Sequence, residues 1–148
     1  MSTDTRPILV LEDNNEDFTT LMRLMRKQGL TNPVFRCIDG QEVLDFLSHQ
    51  GKRAETSATP RPALILLDLN VPGKEGRTVL KQIKSDETLT QIPVAIVSTS
   101  ANPKDVEYCF AHGANTYLLK PVDLEKFAYA LHIFFEYWLA ISVLPGSV

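Results

Sequence analysis

Residues 64–76 read LILLDLNVPGKEG, and this stretch decides the fold. Four apolar residues run without interruption to the carboxylate of Asp68, and the chain then breaks at Asn70 into Val, Pro and Gly. Unbroken rather than alternating hydrophobicity marks a strand covered on both faces, as in a parallel sheet. A charge at the tip of such a strand is costly unless it is paired, hydrogen-bonded or bound to a metal.

Three other segments share that character: PILVL (7–11), IPVAIV (92–97) and NTYLLK (115–120), beside PALILLDL (62–69) itself. A fifth, PVFRCID (33–39), is less apolar and suits a sheet edge. Helical patterns lie between them. After Asn14 or Asn15, either a fitting N-cap, Phe18, Leu21, Met22 and Met25 recur at helical spacing, and Gly29 supplies a stop. Val43, Leu44 and Leu47 share a face of 40–48; Val79, Leu80 and Ile83 share a face of 74–84; Val106 and Phe110 belong to 103–112. A longer helix spans about 123–139. Strand and helix alternate throughout, which predicts an α/β fold with parallel strands. Five strands at this length predict a flavodoxin-like doubly wound sheet of order 2-1-3-4-5 with helices on both faces. The segment SHQGKRAETSATPRP (48–62) has no periodicity and reads as a long solvated excursion or a binding loop.

The totals fit this picture. A chain of 148 residues, 44% apolar and 22% charged, makes one globular domain over 1–148, with a core of about 7–139 and an apolar extension over 140–148. A net charge of −3 gives no reason to expect nucleic-acid binding. No apolar run approaches the ~20 residues of a membrane span, and the start lacks the pattern of a secretory signal. Cys37 and Cys109 have neither metal nor redox spacing and read as reduced thiols. A cytoplasmic protein is expected.

In an open parallel sheet, ligands bind beyond the carboxyl ends of the strands. The first strand ends in Glu12, Asp13 and Asn14, the third in Asp68 followed by Asn70, the fourth in Ser98, Thr99 and Ser100, and the fifth in Lys120 and Pro121. Three carboxylates, a hydroxyl and an ammonium thus converge on one rim. Carboxylates so close repel one another, and a hard divalent cation relieves the conflict; oxygen ligands without His or Cys suit Mg²⁺. Lys120 and Ser98 suit a phosphoryl oxygen, and Asp68, on the central strand, is the candidate nucleophile for a phosphoryl group.

The segments LVLEDN, LILLDLNVPGKEG, IPVAIVSTS and TYLLKP, in this order, resemble the receiver domain of two-component response regulators, over about Pro7 to Leu139. The resemblance implies that Asp68 accepts a phosphoryl group from a phosphohistidine of a sensor histidine kinase. It implies that Asp13, Asp68 and the backbone carbonyl of Asn70 ligate Mg²⁺, with Glu12 acting through a water. Lys120 would contact the phosphate, and the Lys120–Pro121 bond would be cis. Ser98 takes the place of the switch hydroxyl and Tyr117 that of the switch aromatic, while Asn70 and Ser100 stand where family members tune the lifetime of the acyl phosphate. Within the family, the chain more closely resembles the small regulators paired with cyanobacterial-type phytochrome histidine kinases. The absence of an output domain, the long insertion and the ending FFEYWLAISVLP carry that likeness.

The final helix adds an expectation of its own. Leu124, Phe127, Ala128, Leu131, Phe134, Phe135, Trp138 and Leu139 form one broad apolar arc, yet Tyr129, Ile133 and Tyr137 form a second stripe opposite it. That stripe predicts a homodimer through the last helix. The expected protein is a phosphoacceptor switch rather than an enzyme, supporting only its own phosphotransfer and autodephosphorylation. A phosphate sink or partner-binding dimer is the alternative. A Mg-dependent aspartyl-phosphate phosphatase is disfavoured, because Asn70 stands where its acid/base aspartate is needed.

Overall fold

The computed structural model describes residues 4–48, 61–70 and 75–146. Most of the long segment expected at 48–62, and the Val-Pro-Gly-Lys break at 71–74, lie outside them. Five strands, β1 (Ile8–Leu11), β2 (Val34–Cys37), β3 (Leu64–Asp68), β4 (Val94–Ser98) and β5 (Thr116–Leu119), form one sheet in the order β2-β1-β3-β4-β5. Every pairing is parallel. The helices are α1 (Asn15–Lys27), α2 (Gly40–Ser48), α3 (Glu75–Ser85), α4 (Pro103–Ala111) and α5 (Leu124–Glu136).

Successive strand residues point to opposite faces, and the core divides accordingly. Leu9, Leu11, Ile65, Leu67, Val94 and Ile96 pack with Val43 and Phe46 of α2, Leu80 and Ile83 of α3, and Cys109 of α4. Ile8, Val10, Leu64, Leu66, Ala95 and Val97 pack with Leu21 and Met25 of α1 and Leu131, Phe134 and Phe135 of α5. Burying each large apolar side chain contributes about 1.5–3 kcal/mol. Both faces of β1, β3 and β4 are therefore dry, which is why those strands carry no polar residue before their carboxyl ends.

Local signals fix the helix ends. Asn14 caps α1, its Oδ1 accepting from the Asp17 amide at 2.9 Å. Gly29, at φ 84°, takes the left-handed position that ends the helix, and its N–H bonds the Arg26 carbonyl. Gly76 lets α3 close on the β3–α3 turn; a Cβ there would meet Leu69 Cδ2 at 2.9 Å.

Three local expectations are corrected. The fifth strand, read as covered on both faces, is an edge strand of intermediate burial with Leu119 exposed, because among the described residues no strand pairs beyond it in the sheet. The last helix does not stay α-helical to residue 139: it widens into a π-helical turn over Tyr137–Ile141, closed by the Ser142 amide on the Tyr137 carbonyl at 2.7 Å. This turn carries Leu139 into the core. The Lys120–Pro121 bond is trans, since no cis peptide occurs among the described residues. Trans is favoured by about 0.5–1 kcal/mol before proline, and the fully exposed Val122 that follows offers no packing to offset it.

The two ends of the described chain meet. Arg6 pairs with Asp4 and donates from Nη1 to the Pro145 carbonyl at 2.7 Å, while Leu144 is buried beside Ile8 and Phe135 in the α1/α5 core. No helix of the described residues is long and apolar enough to cross a membrane.

Candidate functional site

Parallel strands in register deliver their carboxyl ends to one rim. Asp68, the last residue of β3, is 3% exposed and pairs in the ladder with Val97. Its Oδ1 accepts from the Asn70 amide at 2.7 Å, which fixes one oxygen toward the turn. Its Oδ2 accepts from Lys120 Nζ at 2.5 Å. Lys120 follows β5 directly, and its amide bonds the Ser98 carbonyl, so β4 and β5 together aim the side chain across the rim.

Lys120 serves three carboxylates: Asp68, Asp17 Oδ2 at 3.2 Å and Glu12 Oε1 at 3.3 Å. Glu12, Asp17 and Asp68 offer oxygens within 4.8 Å of one another. Beneath them is a pocket walled by Val10, Leu66, Val97, Phe127 and Leu131, which keeps the local medium dry. The electrostatics follow from that wall. Burial first, and then the hydrogen bond and charge of Asp68, push Glu12 from 4.5 up to about 7, against the opposing pull of Lys120 and the Asn14 amide. Burial pulls Lys120 down, but the bond and charge of Asp68, with Glu12 and Asp17 adding to them, outweigh it and hold its pKa above the ordinary value. One ammonium cannot compensate three carboxylates, and oxygen-only donors of this kind suit a hard divalent cation.

The structure brings together most of the residues expected at the rim. Glu12, Asp68 and Lys120 converge. Asp13 is exposed and stands outside the trio of close carboxylates, whereas Asp17, unremarked in the sequence, belongs to it. The missed signal was an acid four residues after Asp13, in the first turn of α1, where acidic residues are ordinary for reasons of helix dipole alone.

Ser98 is 2% exposed, and its Oγ accepts from the Ser100 amide at 3.0 Å. The neighbouring Thr99 is exposed and pairs reciprocally with the Asn70 side chain: Asn70 Nδ2 donates to Thr99 Oγ1 at 2.9 Å and Thr99 N–H to Asn70 Oδ1 at 3.0 Å. Tyr117, half-buried in β5, donates its hydroxyl to the Ser100 carbonyl at 2.7 Å. Ser100 Oγ in turn donates to Asp105 Oδ2 at 2.5 Å, and the other Asp105 oxygen pairs with Arg77 of α3. Sequence reading did not reach Arg77 and Asp105, because their pairing spans two helices. Tyr129 and Ile133 of α5 and Tyr137, the first residue of the π turn, are 68%, 48% and 50% exposed.

Comparisons with known proteins identify the family of the chain. Residues 8–132 match the family model of the response regulator receiver domain. The response regulator Rcp1 of Synechocystis is 34% identical over 150 residues, covering 99% of this chain and all of the relative. The Mn²⁺-bound form of Rcp1 superposes with a TM-score of 0.87 at 33% identity, over 95% of this chain and 99% of that one. The phosphorylated cyanobacterial phytochrome response regulator RcpA superposes with a TM-score of 0.88 at 36% identity, over 97% of this chain and 100% of that one. A probable methanogenesis regulatory protein, FilR2 of Methanothrix harundinacea, is 35% identical over 140 residues, covering 94% of this chain and 87% of the relative.

Proposed function

The chain belongs to the response regulator receiver family, and on that premise we propose that Asp68 is its phosphoacceptor, taking a phosphoryl group from a phosphohistidine of a phytochrome-type sensor kinase. One observation carries the reading: a carboxylate 3% exposed on the central strand is held by one lysine at 2.5 Å with further carboxylates around it. The free lone pairs of Asp68 attack phosphorus, the P–N bond breaks, and the imidazole leaves with the bonding electrons. Lys120 moves from the Asp68 carboxylate to an oxygen of the phosphoryl group and balances its charge. Water later cleaves the acyl phosphate and restores Asp68. Likeness to Rcp1 and RcpA supports a phytochrome-type kinase as donor.

Mg²⁺ fits the oxygen donors that Glu12, Asp17 and Asp68 gather; by likeness to the family, Asp13, Asp68 and the Asn70 carbonyl would hold it, with Glu12 through a water. Bound there, the ion would supply neutralising charge for the carboxylates and the incoming phosphoryl oxygens. Ser98 would give up the Ser100 amide and donate its hydroxyl to the phosphoryl group, and Tyr117, tied to the same Ser100, would follow. The test is acetyl phosphate with Mg²⁺ and intact-mass spectrometry. An adduct of about 80 Da, labile to hydroxylamine and absent from Asp68→Asn, is expected. No adduct on the wild type, or one that survives in Asp68→Asn, overturns the assignment.

A second reading concerns assembly. The outer stripe of Tyr129, Ile133 and Tyr137 is apolar and exposed, and it supports an isologous homodimer through α5. Sedimentation of Tyr129→Ala/Ile133→Asp beside wild type tests it; an unchanged assembly removes this stripe from the interface.

A further inference from the structure

Asp17 holds a place that its position in the helix does not explain. It is the third residue of α1 after the Asn14 cap, where an acid ordinarily reaches back to the amide of the cap residue. Here that amide is already taken: Asn14 N–H donates to Glu12 Oε2 at 3.2 Å. The cap is thus divided between two acids, and the Asp17 carboxylate is turned instead to Lys120, 103 residues away.

Phosphotransfer asks two things of Lys120 that conflict. In the free protein its ammonium sits on Asp68 at 2.5 Å, covering an oxygen of the nucleophile. In the reaction it must leave that oxygen yet remain beside it for the phosphoryl group. Glu12 also contacts it, at 3.3 Å, but from a buried side chain on the inner side of the cluster, so it keeps the ammonium against the nucleophile. Asp17 holds it from the solvent side. Its side chain is 51% exposed, so its charge costs little desolvation, while the lysine it holds is only 13% exposed.

We propose that Asp17 is a positioning residue, a third carboxylate that draws Lys120 off Asp68 and keeps its ammonium at the mouth of the site. This rests on the phosphoacceptor reading of Asp68, and the test separates the two. Glu16, the neighbouring exposed acid of the same helical turn, is the control for any effect of helix charge. Asp17→Ala should slow phosphorylation by acetyl phosphate about fivefold, the scale of a partly exposed ion pair. Glu16→Ala should leave it within about twofold, and Asp17→Glu should restore what Asp17→Asn does not. In a Lys120→Ala background, Asp17→Ala should have no further effect, since the two act as one unit. Equal slowing by Asp17→Ala and Glu16→Ala, or full slowing by Asp17→Ala without Lys120, overturns the proposal.

A readout without phosphate stands beside these. In the metal-free protein, the ¹⁵N resonance of the Lys120 ammonium should shift in Asp17→Ala and not in Glu16→Ala. Should wild type take no phosphate, the Asp68 reading falls while this shift still supports the Asp17–Lys120 contact. A resonance that ignores Asp17 sinks the proposal even if phosphorylation proceeds.

Discussion

Raising the pH of the metal-free protein from about 5 to about 8.5 should destabilise it, and Glu12 is the cause. Its folded pKa, about 7, lies above the 4.5 of the free group. A group raised on folding contributes stability that is full below its unfolded pKa and gone once the pH exceeds its folded pKa. A displacement from 4.5 to about 7 is worth at most roughly 3 kcal/mol, at about 1.4 kcal/mol per pH unit. Lys120 and the solvent that reaches Asp17 screen part of it, leaving about 1–2 kcal/mol across this range. Urea titrations in EDTA at several pH values measure the fall. Glu12→Gln, neutral throughout, should lack this component, so its stability should vary less with pH than that of wild type. Excess Mg²⁺ should stabilise wild type most at the alkaline end, where the carboxylates are free to bind it. If Glu12→Gln and wild type lose stability in parallel, the crowding of Glu12 against Asp68 is not what the geometry implies.

Three other outcomes follow from the packing. Phe135→Ala removes one of the largest fully buried side chains and should cost about 3–5 kcal/mol in chemical denaturation. Lys84 donates from Nζ to the carbonyls of Thr90 and Ile92, so Lys84→Ala should cost about 1–3 kcal/mol by the same assay. Asp105→Ala deprives Ser100 Oγ and Arg77 of their shared acceptor; amide hydrogen exchange should quicken over 99–102 while the central strands keep their protection.

The rim was legible from sequence because its residues follow one rule. In β1, β3 and β4 an unbroken apolar run fixes both the strand and the point where polarity returns, which puts Glu12, Asp68 and Ser98 at one edge of a parallel sheet from pattern alone. Order across the sheet came from the fold class, and the exposure of β5 follows from that order rather than from its own residues, which read as buried. Asp17 and the Arg77–Asp105 pair were not legible for a different reason. Their partners are set by distances between elements, and an exposed acid in a first helical turn is so common that its residue type carries no signal. The π turn at Tyr137–Ile141 likewise depends on where Leu139 must go, which periodicity at 100° per residue does not register.

The bond from Arg6 to Pro145 makes the described chain nearly a closed loop. It lies beside the start of β1, whereas Asp68 stands at the far end of the five-residue strand β3, about 16 Å along the sheet. For protein engineering this is a ready joint. A short linker from Gly146 to Asp4 should join the described residues into a ring without rerouting their backbone, with new ends opened in an exposed connection elsewhere. A fluorophore or fused reporter placed at the joint would stand clear of the Asp68 rim by the length of the strands.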